Sequence, residues 1–165
     1  GSRCLKAEIR SAVKYLTTSR WLTLSGKKLV NIEDRIRLRF KEGIYTFHVG
    51  TDSKVHHKYT VVTTTICFRE PGRGVLVAYQ RNKIDHFNNV LERLIHEMVV
   101  SIEAASMIRA TVDVPVTIHA DINTKKECLS NRVLSVIIGM AEGMGFSAVV
   151  KPDAWAADIA DMFTR

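Results

Sequence analysis

Four acidic positions are spaced so that separate elements could carry them to one place. Asp52 follows the apolar run of residues 44–50, Asp121 follows the apolar run 114–120, Glu97 lies inside a long helical pattern, and Asp161 sits beside Asp158 near the C-terminus. Carboxylates gathered at the ends of buried strands repel one another, and they stay ionised together only where cations offset the repulsion. Oxygen ligands favour the hard ions Mg²⁺ or Mn²⁺ over zinc. If the strands ending in Asp52 and Asp121 are neighbours, their carboxylates could bridge two cations about 3.5–4 Å apart, the arrangement of two-metal phosphoryl enzymes.

The elements that must position these acids can be read from periodicity. Residues 44–50, 59–68 and 75–80 pattern as three strands, with Glu70-Pro-Gly-Arg-Gly74 supplying a turn, so the three form an antiparallel meander. A helix follows from about Asn88 to Arg109, with Leu91, Leu94, Ile95, Met98, Ile102 and Ala105 as its apolar stripe. Residues 114–120 are a short buried strand, 130–142 a helix, 146–150 a strand, and 154–163 a last helix after Pro152. The order β-β-β-α-β-α-β-α implies an α/β fold with a five-stranded mixed sheet flanked by helices. Residues 1–43 read as an N-terminal helical extension. In it Leu5, Ile9, Val13 and Leu16 recur at helical spacing, and Trp21, Leu22 and Leu24 suggest an apolar anchor. Residues 31–41 fit helix and strand alternation alike, and we assign helix with Asn31 as N-cap.

At 165 residues, 46% hydrophobic and 25% charged, the chain has the composition of a soluble globular protein. No apolar stretch approaches the roughly 18 residues of a membrane span. The cysteines, Cys4, Cys67 and Cys128, are odd in number and widely spaced, which argues for reduced thiols in a cytoplasmic setting and against a disulfide framework or thiolate zinc site. A formal charge of +7 favours a polyanionic partner. Lys27, Lys28, Arg35, Arg37, Arg39 and Lys41 cluster before the first strand, and Arg69, Arg73 and Arg81 flank the hairpin. Basic groups around a carboxylate site suit a nucleic acid, whose neighbouring phosphates they would hold.

Several short motifs occur in a specific order: His48-Val-Gly-Thr-Asp-Ser-Lys54, Gly72-Arg-Gly74, His119-Ala-Asp-Ile-Asn123 with Ser130-Asn131, Gly143-Met-Gly-Phe146, and Lys151-Pro-Asp-Ala-Trp-Ala-Ala157 with Ala160-Asp161. Over roughly residues 44–163 the chain resembles the YkuK-type ribonuclease H-like proteins. The resemblance implies the ribonuclease H-like fold and a divalent-metal-dependent nuclease centre built from several carboxylates.

Taken one by one, the residues leave some choices open. Glu92, Glu97 and Glu103 all flank the helix stripe, Glu97 on one side and the other two opposite. Small Ser101 and Ala104 lie on the Glu97 side, and the resemblance favours Glu97. Asp158 and Asp161 share a face of the last helix. Spacing from Pro152 suits Asp158 by comparison with ribonuclease H itself, whereas the Ala-Asp pair of the YkuK type points to Asp161. The expected catalytic and metal-binding set is Asp52, Glu97, Asp121 and Asp161, with Lys54, Asn131 and Lys151 as substrate contacts. Strand parity puts His48 on the face of Asp52 and His119 on that of Asp121; both read as hydrogen-bonded core or rim residues, and His56-His57 as a turn. The expected activity is hydrolysis of phosphodiester bonds in RNA, an RNA–DNA hybrid or structured DNA. The competing reading is a nucleic-acid-binding or protein-interaction module without catalysis.

Overall fold

A computed structural model describes residues 20–123, 125 and 129–164. The helix expected around Leu5 to Leu16, and Cys4 and Cys128, lie outside the described residues. The elements are β1 (Leu22–Thr23), α1 (Ile32–Glu42), β2 (Thr46–Val55), β3 (Thr60–Glu70), β4 (Gly74–Ile84), α2 (Val90–Thr111), β5 (Val116–Ala120), α3 (Asn131–Gly143), β6 (Ser147–Val149) and α4 (Trp155–Phe163). One sheet runs in the order β1-β4-β3-β2-β5-β6. Strands β2, β3 and β4 form an antiparallel meander, and β5 and β6 extend it in parallel from β2.

The sheet has six strands where the sequence suggests five. The addition is β1, whose two residues pair with Ala78 and Tyr79 at the free edge of β4. Its residues lie in the segment read as helical; two residues are too short to show alternation, and tertiary pairing decides their conformation. The strands of the meander also run longer than their apolar patterns, because Thr, Ser and Lys continue the ladder once it is started. Asp52 therefore lies inside β2, opposite Thr63 of β3, rather than closing the strand.

Local chemistry explains the helix starts. Asn31 caps α1 by accepting from the Asp34 amide and Ser130 caps α3 by accepting from that of Val133. Asn89 caps α2 through the Glu92 amide, while the Glu92 carboxylate reaches back to the amide and side chain of Asn88. Glu92 is thereby committed to the helix terminus.

Two helices pack close to opposite faces of β2. On one face the hydroxyls of Thr51 and of Ser101 in α2 meet at 2.8 Å, and Ala104 and Ala105 are fully buried. Helix α2 is buried around most of its middle, since Val99 and Val100 pack with Met140 of α3. Leu91, assigned to the stripe, is exposed instead. Ile32 and Ile36 of α1 and Trp21 join the same core as Phe47, Ile66 and Ile118.

On the other face α4 approaches so closely that a Cβ at Gly50 would lie 2.3 Å from the backbone of Ala156. Only glycine fits there. The Thr65 hydroxyl pins the contact, reaching the carbonyls of Gly50 and Ala156. Ala156, Ala157 and Ala160 supply the small face that α4 needs.

Candidate metal centre

Helix α2 and the two central strands bring acids together beside the sheet. Ligand oxygens of Asp52 on β2, Glu97 on α2 and Asp121 just after β5 all lie within 4.8 Å of one another, a group that could hold a metal ion. Asp52 and Glu97 are each only 5% exposed. Asp161 on α4 is exposed and is not one of that group; it bears on the site only through a side-chain hydrogen bond that helps to raise Asp52. Asp158, one turn earlier, is exposed and adds its charge to the field at Lys151. Glu103 lies outside the group; partial burial raises its carboxyl above the usual range.

Protonation is how so many carboxylates coexist in the metal-free protein. Burial, the hydrogen bond with Asp121, the charges of Glu97 and Asp121, and the hydrogen bond with Asp161 push Asp52 up to about 9. It therefore carries a proton at neutral pH and donates it to Asp121. Burial alone would raise Asp121, yet the hydrogen bond from Asp52, the bond and charge of Lys151, and the charge of Arg93 hold it below the usual carboxylate range.

Two cations complete the balance. The Lys151 ammonium stands 2.7 Å from Asp121, so this expected substrate contact sits on a candidate ligand, and the bond to Asp121 raises its own pKa. Arg93, one turn before Glu97, reaches both of its oxygens at 3.1 and 3.4 Å, and Ser53 donates to Glu97 at 3.1 Å. Arg93 is a site residue that sequence reading missed; its signal is the i,i+4 spacing from Glu97. Of the other expected contacts, Lys54 is exposed two residues beyond Asp52 on the same face of β2, and Asn131 is exposed in the first turn of α3.

The donor set suits a hard divalent ion. It is all oxygen, it is buried, and its excess negative charge is held down by a proton and an ammonium that a cation could replace. Beside it, the buried Thr63 hydroxyl directly opposite Asp52 has no hydrogen-bond partner among the described residues.

Behind the acids, His48 and His119 anchor α4. Ala154, at the N-cap of α4, supplies no side-chain acceptor. His119 Nδ1 takes the role by accepting from the Ala156 amide at 3.3 Å. That acceptor places the His119 proton on Nε2, which donates to His48 Nδ1 at 2.9 Å; His48 Nε2 then donates to the Thr46 hydroxyl at 2.7 Å. Trp155 packs on both rings, each at 4.6 Å. Burial first, then the Arg69 charge, pushes His48 down to about 4; burial, His48 and Arg69 do the same to His119. Both stay neutral and structural. His56 and His57 form a turn, with the His56 amide bonded to the Tyr59 carbonyl. Cys67 is buried as a free thiol, pushed by burial up to about 12.

A mixed α/β sheet in this order, with helices on both faces and buried carboxylates meeting beside its central strand, defines the ribonuclease H-like class. The chain belongs to that family: the family model described as Ribonuclease H-like matches residues 30–165. It is similar to Uncharacterized protein YkuK of Bacillus subtilis (strain 168), 25% identical over 139 residues that cover 73% of this chain and 80% of that protein. No solved structure matches it significantly. Among the described residues no helix is long and apolar enough to cross a membrane.

Proposed function

We propose that the protein is a divalent-metal-dependent nuclease that hydrolyses phosphodiester bonds in nucleic acid, with Mg²⁺ or Mn²⁺ held by Asp52, Glu97, Asp121 and Asp161. The observation that carries this reading is the convergence of ligand oxygens from Asp52, Glu97 and Asp121 within 4.8 Å in a ribonuclease H-like fold. Bound divalent cations would supply an activated water and offset charge on the phosphate. The chain's own residues set the stage. Arg93 and Ser53 orient Glu97, and α4, fixed by Gly50, Thr65 and His119, would bring Asp161 to the bound ions. Lys151, once its place on Asp121 is taken, can meet a substrate phosphate, and Lys54 and Asn131 are the other assigned contacts.

The test is a cleavage assay over single-stranded, duplex, hybrid and junction substrates with Mg²⁺ or Mn²⁺. Activity that disappears in EDTA and in Asp52→Asn supports the reading. Undiminished cleavage by rigorously purified Asp52→Asn refutes it.

A further inference from the structure

The sheet continues past the acids into a second feature on the same face. Residues directly opposite each other across a sheet share a face, and the registers place Asp52, Thr63 and Arg81 in one row and Lys54, Val61 and Lys83 in the next. Two strand spacings, about 10 Å, therefore separate Asp52 from Arg81. Next to Arg81 opens a cleft of about 500 Å³ lined by Arg20, Leu22, Tyr59, Val61, Arg81, Asn82 and Lys83. None of these residues is acidic.

The cations there differ from those that the sequence emphasised. Arg37 and Arg39 of α1 are ion-paired with Asp34 and Glu42, and Arg73 with Glu70. Arg20, Arg81 and Lys83 are exposed and make no ion pair among the described residues. Arg81 reaches the Phe163 carbonyl at the end of α4, which places it between the acids and the cleft. Lys83 stands 4.5 Å over the Tyr59 ring, and His56 stacks on that ring at 5.0 Å. Leu22 and Val61 supply an apolar floor.

We infer that this cleft is a binding site for a single-stranded segment of nucleic acid, whose backbone runs from the acidic centre over Arg81 and Lys83 towards Arg20. Cations at the rim take phosphates, while Tyr59 and the apolar floor of the cleft take bases. Only an unpaired strand presents its base faces for such contacts, whereas a duplex offers phosphates and groove edges. The inference rests on the nuclease reading for the direction of the strand, and binding can be tested without turnover.

Fluorescence anisotropy of a labelled oligonucleotide in EDTA, single-stranded and as its own duplex, tests it directly. Wild type should bind the single strand at least tenfold more tightly than the duplex. Arg81→Ala/Lys83→Ala should weaken that binding at least tenfold and reduce the slope of log affinity against log salt by about 1.4, two phosphates at about 0.7 each. Arg20→Ala/Lys83→Ala, which leaves the Arg81 bond to α4 intact, should act in the same direction with an unchanged melting temperature. Arg37→Ala/Arg73→Ala should leave affinity unaltered. Duplex preferred over single strand, an acidic peptide competing as well as the oligonucleotide, or unchanged binding in both cleft variants overturns the inference. If no metal supports cleavage but the cleft variants lose binding, the cleft stands and the nuclease reading falls.

Discussion

Replacing Asp52 by Asn should make the metal-free protein more stable while removing its capacity for metal. Asp52 is pushed from an ordinary 3.8 to about 9, so the folded protein keeps a proton that the unfolded chain releases. A folded-state pKa above the unfolded one gives stability that is full below about pH 4 and is lost as pH rises towards 9, at about 1.4 kcal/mol per unit. At pH 7 the loss spans about three units, a ceiling of about 4 kcal/mol. Asn is neutral at every pH and keeps a donor for Asp121. After the neighbours relax, a gain of about 1–3 kcal/mol is expected, or roughly 3–9 °C in melting temperature for a domain of this size. Denaturation of both proteins in EDTA at pH 7, 8 and 9 reads the effect, and their difference isolates Asp52 from other titrating groups. The difference should widen with pH, and millimolar Mn²⁺ should stabilise only wild type. A variant no more stable than wild type at pH 8 would refute a crowded, proton-dependent site.

Other perturbations probe the supports. Gly50→Ala should destabilise the fold by about 2–4 kcal/mol and impair metal binding together, since its methyl group would displace α4 and Asp161; unfolding and Mn²⁺ titration of the same sample check this. Arg93→Ala should destabilise by about 3 kcal/mol by removing the cation that faces buried Glu97, and Arg93→Ala/Glu97→Gln should recover most of the loss; a double variant as unstable as the single contradicts the pairing. His48 and His119 have folded values lowered to about 4, so their contribution is complete above about pH 6.5 and is lost as pH falls towards 4, by up to about 1.4 kcal/mol per unit for each. Because Asp52 titrates with the opposite sign over this range, the test uses Asp52→Asn, and equal stability of that variant at pH 6.5 and 4.5 would exclude the histidine role. Metal uptake at pH 8 should release about one proton, from Asp52, measurable by titration in buffers of different ionisation heat.

Much of this fold can be read from the sequence because its signals are local. Hydrophobic period separates the meander from the βα units, and side chains such as Asn31, Asn89 and Ser130 announce helix starts. Asp52 and Asp121 could be picked out because each follows an apolar run, although Asp52 proves to lie inside its strand. The rest depends on partners distant in the chain. Strand β1 forms by pairing with the edge of β4, and in α2 Val99 and Val100 are buried against Met140 while Leu91, near the helix start, is exposed. That Lys151 stands 2.7 Å from Asp121 could not be read from its place in the sequence. Arg93 needed the burial of Glu97 to become more than an ordinary surface pair. The basic residues of α1 drew notice by density, yet Arg37 and Arg39 are already paired, whereas Arg20, Arg81 and Lys83 meet only when β1 and β4 are side by side.

Direct titration of Mn²⁺ into metal-free protein, followed by calorimetry and by loss of the free-ion electron paramagnetic resonance signal, addresses the acidic centre most directly. Saturable binding to wild type, with affinity rising from pH 6 to 8 and abolished in Asp121→Asn and in Asp52→Asn, is the expected result. Absence of saturable uptake by wild type, or uptake that survives both substitutions in folded protein, would contradict a metal centre built from these side chains.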